Sequence, residues 1–248
     1  MKKLFLLIVI FLLSLTFVGS YAQNNCTTPP CYGQGGDSCN CTEWSDWAFK
    51  QISMEVPGYP DCWIFANVCY RQCTNPTANC VEMYIDDWFI DYLKCGNNCN
   101  NLISYLTTGT DLERARKGNR FRIFLIRTIS RMWFEEFIQI PGVEIPCNGS
   151  ERLKITHFLT SCGTTCYTQY PIDDPEQPLY TEYKSCSDTY CCTVTEIFCQ
   201  NQDGSINQTE EVTRDTNIDC STLNFPLTNC KPGQNVYVYP CIDPCEDF

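Results

Sequence analysis

The sequence predicts a disulfide-rich, secreted α+β protein with short antiparallel strands, hairpins and two or three amphipathic helices. The chain opens with a basic and then apolar leader, which is typical of a signal peptide. It contains 21 cysteines in 248 residues. Behind the leader, its apolar residues repeat with the period of a helix in some segments and with the period of a strand in others.

The leader supports export. Lys2 and Lys3 precede an apolar run over 4–18, and small residues stand just before Gln23. The run of about 15 residues is shorter than the roughly 20 that a membrane-spanning helix needs. We therefore predict a signal peptide over 1–22, no transmembrane anchor in the mature chain, and a secreted, cell-surface or periplasmic location.

Charge excludes one class of partner. The net charge is −12, and loss of the two leader lysines takes it to −14. A nucleic-acid binder attracts phosphates through positive charge, so we expect no nucleic-acid partner.

Cysteine makes up about 9% of the chain behind the leader, the level of a disulfide scaffold. An oxidising compartment lets such cysteines pair, so about ten bridges are expected. His157 is the only histidine, which leaves no His-containing zinc site, and we predict no metal and no cofactor. Four Cys-x3-Cys pairs and the cluster 191–199 supply the bridge candidates, which are Cys69, Cys73, Cys95, Cys99, Cys162, Cys166, Cys191, Cys192, Cys199, Cys241 and Cys245.

Two cysteine features leave alternatives open. Cys191 and Cys192 are adjacent in a predicted strand, so their side chains should face opposite ways and bond different partners. The total is odd. The extra cysteine is a buried inert thiol, a reactive thiol, or one half of a disulfide-linked homodimer.

The first half of the chain divides into a Cys/Gly/Pro-rich segment over 23–41 and a helix–strand–helix unit over 42–109. The spacing of Trp44, Trp47 and Ile52 predicts a helix over 43–53. The β-branched and aromatic run over 62–72 predicts a strand. Apolar residues at 81, 85, 88, 89 and 92 predict an amphipathic helix over 81–94.

The second half holds a long helix and a second strand unit over 110–200, then a hairpin return and Cys-rich tail over 201–248. Thr110 and Glu113 form a capping-box pattern, so the helix should run over 110–140, with Gly118 as a place for a kink. Alternation predicts a strand over 152–161, and a Gln202-Asp203-Gly204 turn predicts a hairpin of 191–200 with 206–215. One more strand is expected over 236–239 in the Cys-rich tail.

A weak internal repeat relates the segment from Trp47 to Cys62 to the segment from Trp133 to Cys147, with a Pro-Gly pair in each. It predicts a duplicated helix–strand unit. Chance similarity in an aromatic-rich chain is the alternative.

Four arginines form a stripe on the long helix: Arg116, Arg120, Arg127 and Arg131 fall within an arc of about 60°. One interpretation is a docking site for an anion such as a surface polysaccharide, a lipid headgroup or an acidic partner. The favoured one is pairing with the chain's own acids on the predicted helix 81–94, namely Glu82, Asp86, Asp87 and Asp91.

Trp63 and Phe65 share one face of the strand predicted over 62–72. Aromatic side chains give contact area at low entropic cost, which makes these two the nominal contacts for an extracellular protein or glycan. Burial in the core is the alternative.

The sequence contains no motif that requires a particular catalytic mechanism. His157 lies between Ile155 and Leu159 on a strand face, which is typical of a packed histidine rather than the base of a hydrolase triad. The favoured function is a non-enzymatic extracellular or cell-surface binding or structural protein. The alternative is a secreted carbohydrate-active hydrolase that uses a carboxylate pair drawn from Asp87, Asp91 and Glu135.

Overall fold

The computed structural model describes residues 26, 39, 41–75, 79–91, 94, 97–160, 162–169, 180–186, 191–214, 219–223, 235–238, 240–243 and 245. The predicted signal peptide lies outside these residues. Within them, no helix is both long enough and apolar enough to cross a bilayer.

The fold is α+β and dominated by strands. The strands are β1 (Ala48–Glu55), β2 (Trp63–Gln72), β3 (Cys80–Ile90), β4 (Leu153–Thr160), β5 (Gly163–Gln169), β6 (Tyr180–Ser185), β7 (Cys191–Gln200), β8 (Ile206–Arg214) and β9 (Asn235–Val238). The α-helices of the described residues are α1 (Asn100–Thr107) and α2 (Asp111–Phe137), and a 3₁₀ turn spans Cys220–Thr222.

β3 is the branch point of a single mixed sheet. One edge of β3 pairs with β2, which pairs in turn with β1. The other edge is shared: β4 runs parallel to Cys80–Met83, and β6 runs antiparallel to Asp87–Phe89. From β4 the sheet continues through β7 to β8, and from β6 through β5 to β9, all in antiparallel pairs.

α2 covers one face of this sheet. The capping box forms as predicted: the Thr110 hydroxyl accepts a bond from the Glu113 amide, and the Glu113 carboxylate accepts one from the Thr110 amide. The amide and the hydroxyl of Thr110 both donate to the Glu113 carboxylate, and these two bonds hold the pKa of that carboxyl below its usual value. The helix continues through Gly118 and ends at Phe137. Its buried face packs on the sheet, with Phe134 stacked on Phe198 of β7 at 5.2 Å between ring centroids.

Two predicted helices are wrong. The segment 43–53 contains most of β1, in which Ile52 and Met54 face the core and pairing with β2 satisfies the backbone. The segment 81–94 contains all of β3 except Cys80. Asp86 is skipped in the pairing of β3 with β2 and forms a β-bulge. The bulge moves the core-facing positions by one residue, from Val81, Met83 and Ile85 before it to Trp88 and Ile90 after it. Because of this shift, the apolar residues of β3 have the spacing of an amphipathic helix in the sequence.

The other segments follow the prediction more closely. Strands lie where they were expected over 62–72 and 152–161, in the hairpin of β7 and β8, and near 236–239. The duplicated helix–strand unit is contradicted, since its first copy holds β1 where its second copy holds α2. The sequence did not predict α1, β5 or β6.

Disulfides fasten both ends of the chain to the sheet. The pairs are Cys26–Cys69, Cys39–Cys80, Cys41–Cys73, Cys62–Cys99, Cys147–Cys199, Cys162–Cys220, Cys186–Cys241 and Cys192–Cys245. Cys166 is also disulfide-bonded. Neighbours in the Cys-x3-Cys patterns bond different partners, as Cys69 and Cys73 show. Cys95 and the side chain of Cys191 lie outside the described residues.

Candidate functional site: an aromatic face on the sheet

The face of β1–β3 that points away from α2 carries three neighbouring aromatic rings. In β2, Ile64, Ala66 and Val68 are completely buried on the side of α2. Because side chains alternate along a strand, Trp63 and Phe65 point to the opposite side. Phe65 lies directly across from Phe89 of β3, so the bulge at Asp86 brings Phe89 to the same side. We call Trp63, Phe65 and Phe89 the aromatic face; all three are half-buried.

The rings lie close enough to form one continuous surface. The centroids of Phe65 and Phe89 are 5.2 Å apart, with the ring planes tilted by 36°. The Lys94 ammonium lies 4.4 Å from the centroid of Trp63 and 5.7 Å from that of Phe65. A cation over a ring is attracted by the negative potential of the ring face. Lys94 therefore lies over Trp63 and borders the part of the surface that Phe65 and Phe89 form.

A row of polar side chains forms the second border. Gln51 of β1, Asn67 of β2 and Asp87 of β3 are in register across the strands. The Gln51 amide donates to Asn67 Oδ1 at 3.0 Å, and the Asn67 amide donates to Asp87 Oδ1 at 2.5 Å. Asn67 and Asp87 are buried, whereas Gln51 is exposed. The row is thus preordered and presents its Gln51 end to solvent.

The segment after β3 is tied to the start of β2. The Asp91 amide donates to the Trp63 carbonyl at 2.8 Å, which continues the ladder past the end of β3. The Cys62–Cys99 bridge joins the residue before Trp63 to the start of α1. Lys94 Nζ donates to Ser53 Oγ of β1 at 3.0 Å. These ties hold Lys94 beside the rings.

The other end of the same sheet face is covered by the chain before β1. The guanidinium of Arg71 lies 4.6 Å from the ring centroid of Trp44 and 5.2 Å from that of Trp47. Arg71 also makes a buried ion pair with Glu82 at 2.6 Å. The chain before β1 packs this end around Arg71, while Phe49 of β1, on the same side, is 41% exposed.

The four arginines of the stripe are exposed on α2. Arg127 makes two hydrogen bonds to Glu210 of β8, at 2.6 and 2.8 Å, and these bonds raise its pKa. Arg131 pairs with Glu135 one turn further along the helix, at 3.0 Å. The prediction that the acids of 81–94 lie on a second helix is wrong, because they lie on β3 or just after it. Docking of an anion on the stripe stays a prediction.

The structure does not bring together the three acids considered for a hydrolase. Glu135 lies on α2, which packs on the opposite side of the sheet from the aromatic face, and it is paired with Arg131. Asp87 and Asp91 are both buried near the face, but their carboxylates bind different groups: Asp87 accepts from the Asn67 side chain, and Asp91 accepts from the Lys94 amide. A glycosidase instead needs two carboxyl groups that flank one bond, about 5 to 9.5 Å apart.

A buried Ser–His–Glu cluster lies under α2, and two of its members, Ser130 and Glu196, were not predicted from the sequence. Ser130 Oγ lies 2.6 Å from His157 Nε2, and Glu196 Oε2 lies 3.4 Å from the same nitrogen. A hydrolase triad needs its acid at the other ring nitrogen. All three residues are 0% exposed, so the cluster is structural. The sequence feature that could have revealed the cluster is Glu196, an acidic residue at a core-facing strand position between Val194 and Phe198.

A cavity lined by the bulge in β3, by α2 and by Thr165 has room for about one water molecule, too little for an organic ligand. Groups of three or more His, Cys, Asp or Glu placed to hold a metal ion are absent from the part of the chain that the structure describes.

Comparison with known proteins returns no match: the chain matches no protein-family model, no curated protein and no solved structure.

Proposed function

We propose that the protein is exported and acts outside the cell or at the cell surface as a non-enzymatic binding or structural component, with the aromatic face as its contact surface. One observation carries the proposal. Trp63, Phe65 and Phe89 lie side by side and partly exposed, on strands whose opposite face packs into the core. Rigid aromatic rings lose little conformational entropy on binding and are enriched in protein contact surfaces.

Export is supported by the disulfides and by the leader. Eight bridges link described cysteines, and disulfides persist in oxidising compartments. The basic and apolar segment over 1–22 has the composition of a signal peptide. Bridges at both ends of the chain suit a protein that endures outside the cell.

The carbohydrate-active hydrolase is less well supported, because its candidate acids are separated. It is tested by incubating the protein with soluble polysaccharides and measuring new reducing ends. We expect none to form. Reducing ends that form with the parent protein and are lost in Asp87→Asn or Asp91→Asn would replace the proposed function with the enzymatic one.

The proposal is tested by sedimentation of the mature protein with isolated cell envelopes of the producing organism. We expect the parent protein to sediment with them and Phe65→Ala to bind at least tenfold more weakly, since truncating a central aromatic contact commonly costs about 2 kcal/mol or more. Leu112→Ala is the matched control: it truncates an exposed apolar side chain on α2 and should bind normally.

Far-ultraviolet circular dichroism establishes that each variant is folded. The proposed function is contradicted if the parent protein stays in the supernatant, or if folded Phe65→Ala sediments as the parent does.

A further inference from the structure

We propose that the aromatic face binds an uncharged polysaccharide chain, an inference that rests on the proposed function and names its ligand class. The surface combines three features that such a chain requires: adjacent aromatic rings, a neighbouring row of planar hydrogen-bonding groups, and a local charge that does not attract anions. Each feature is fixed by the register of β1, β2 and β3.

The rings supply the stacking surface. One side of a pyranose ring carries C–H groups that are apolar and weakly positive, and aromatic ring faces are negative. Phe65 and Phe89 are 5.2 Å apart across the strands. Trp63 follows on the same side of β2, about 6.6 Å along the strand from Phe65. The surface is therefore longer than one ring, which suits consecutive sugars of a chain rather than a single sugar.

The polar groups supply the orientation. Sugar hydroxyls both donate and accept, so they need a mixture of acceptors and donors beside the stacking surface. Gln51 is exposed at the end of the row that runs through Asn67 to Asp87. On the other side, the Lys94 ammonium has three N–H donors and gives one to Ser53. Amide and ammonium groups thus flank the rings on both sides.

The local charge selects against anionic chains. Lys94 is the one cation placed against the rings in the described structure, and Asp91 lies 3.9 Å from its ammonium. Asp87 and Glu55 are further carboxylates on the same strands. The whole chain is also strongly acidic. A polyuronate or sulfated glycan would be repelled, whereas an uncharged chain is not.

The openness of the surface determines the mode of binding. The rings lie side by side on the face of β2 and β3 that points away from α2, so contact with them does not depend on the end of a chain. An extended chain laid across β2 and β3 would contact the rings anywhere along its length. Binding should therefore require an oligosaccharide or polymer and be weak for a monosaccharide.

The test measures retention of the mature protein by insoluble cellulose, by insoluble chitin and by soluble xylan in affinity electrophoresis, with alginate as the anionic comparison. We expect retention by at least one uncharged polymer and none by alginate. Phe65→Ala and Phe89→Ala should each lower the association constant at least tenfold, and Leu112→Ala should leave it unchanged. Phe65→Leu keeps the apolar bulk and removes the ring, so it should also bind at least fivefold more weakly.

The inference is overturned if no uncharged polymer retains the protein, if the folded ring variants bind as the parent does, or if alginate binds best. Protease treatment of the cell envelopes separates this failure from failure of the proposed function, together with periodate, which cleaves the vicinal diols of glucans and xylans but not the 1,4-linked N-acetylhexosamines of chitin. Sedimentation that survives periodate but is lost in Phe65→Ala and after protease treatment of the envelopes means a protein partner. The absence of any sedimentation contradicts both.

Discussion

Phe134→Ala is expected to lower the free energy of unfolding by about 3–5 kcal/mol, the range for truncating a buried phenylalanine. Phe134 is completely buried on α2, and its ring stacks on Phe198 of β7. The substitution removes this contact and leaves a cavity that neighbouring strands, tied by disulfides, cannot easily fill. Urea unfolding of the oxidised protein measures the change.

Leu112→Ala is the control for this experiment. Leu112 lies in the first turn of the same helix and is 45% exposed, so the substitution should change stability by less than about 0.5 kcal/mol. A cost below about 1 kcal/mol for Phe134→Ala would contradict the packing of α2 on the sheet.

Replacing both Cys62 and Cys99 with alanine is expected to lower the free energy of unfolding by about 4 kcal/mol. The bridge closes a loop with a sequence separation of 37, and its loss frees the unfolded chain. It also holds Trp63 close to the segment that carries Lys94. We therefore expect weaker envelope binding as well, by at least threefold.

Replacing both Cys147 and Cys199 provides the matched control. That bridge closes a loop of similar length, with a separation of 52, and it joins the segment after α2 to β7. Its loss should cost a similar amount of stability, about 4 kcal/mol, and leave binding unchanged. Equal loss of binding in the two double variants would show that the Cys62–Cys99 bridge has no special part in ordering the aromatic face.

The sequence predicted the elements that carry an uninterrupted local signal. α2 has a capping box and a continuous apolar stripe, β4 alternates, β2 is rich in β-branched and aromatic residues, and a turn over 202–204 joins β7 to β8. β3 could not be recognised in this way, because the bulge at Asp86 shifts its apolar residues by one position and produces a helix-like pattern. The strand can be recognised only once its pairing with β2 is known, because that pairing shows which residue of β3 is skipped.

The candidate site was predicted in part for the same reason. Trp63 and Phe65 were identified as a shared strand face because β2 was correctly predicted. Phe89 was assigned to a helix, so its place across from Phe65 was missed. Gln51, Asn67 and Lys94 carry no motif, and they reach the rings through strand register and the fold of the segment after β3.

Hydroxyl-radical footprinting of the protein bound to cell envelopes tests the central claim most directly. Exposed aromatic side chains oxidise readily, and contact with a ligand protects them. We expect Trp63, Phe65 and Phe89 to become protected, while Tyr105, which is 36% exposed on α1, and Leu112 on α2 oxidise at their usual rates. Protection of Leu112, Tyr105 and the helix around Arg116, with none on the aromatic face, would contradict the account and assign binding to the arginine stripe.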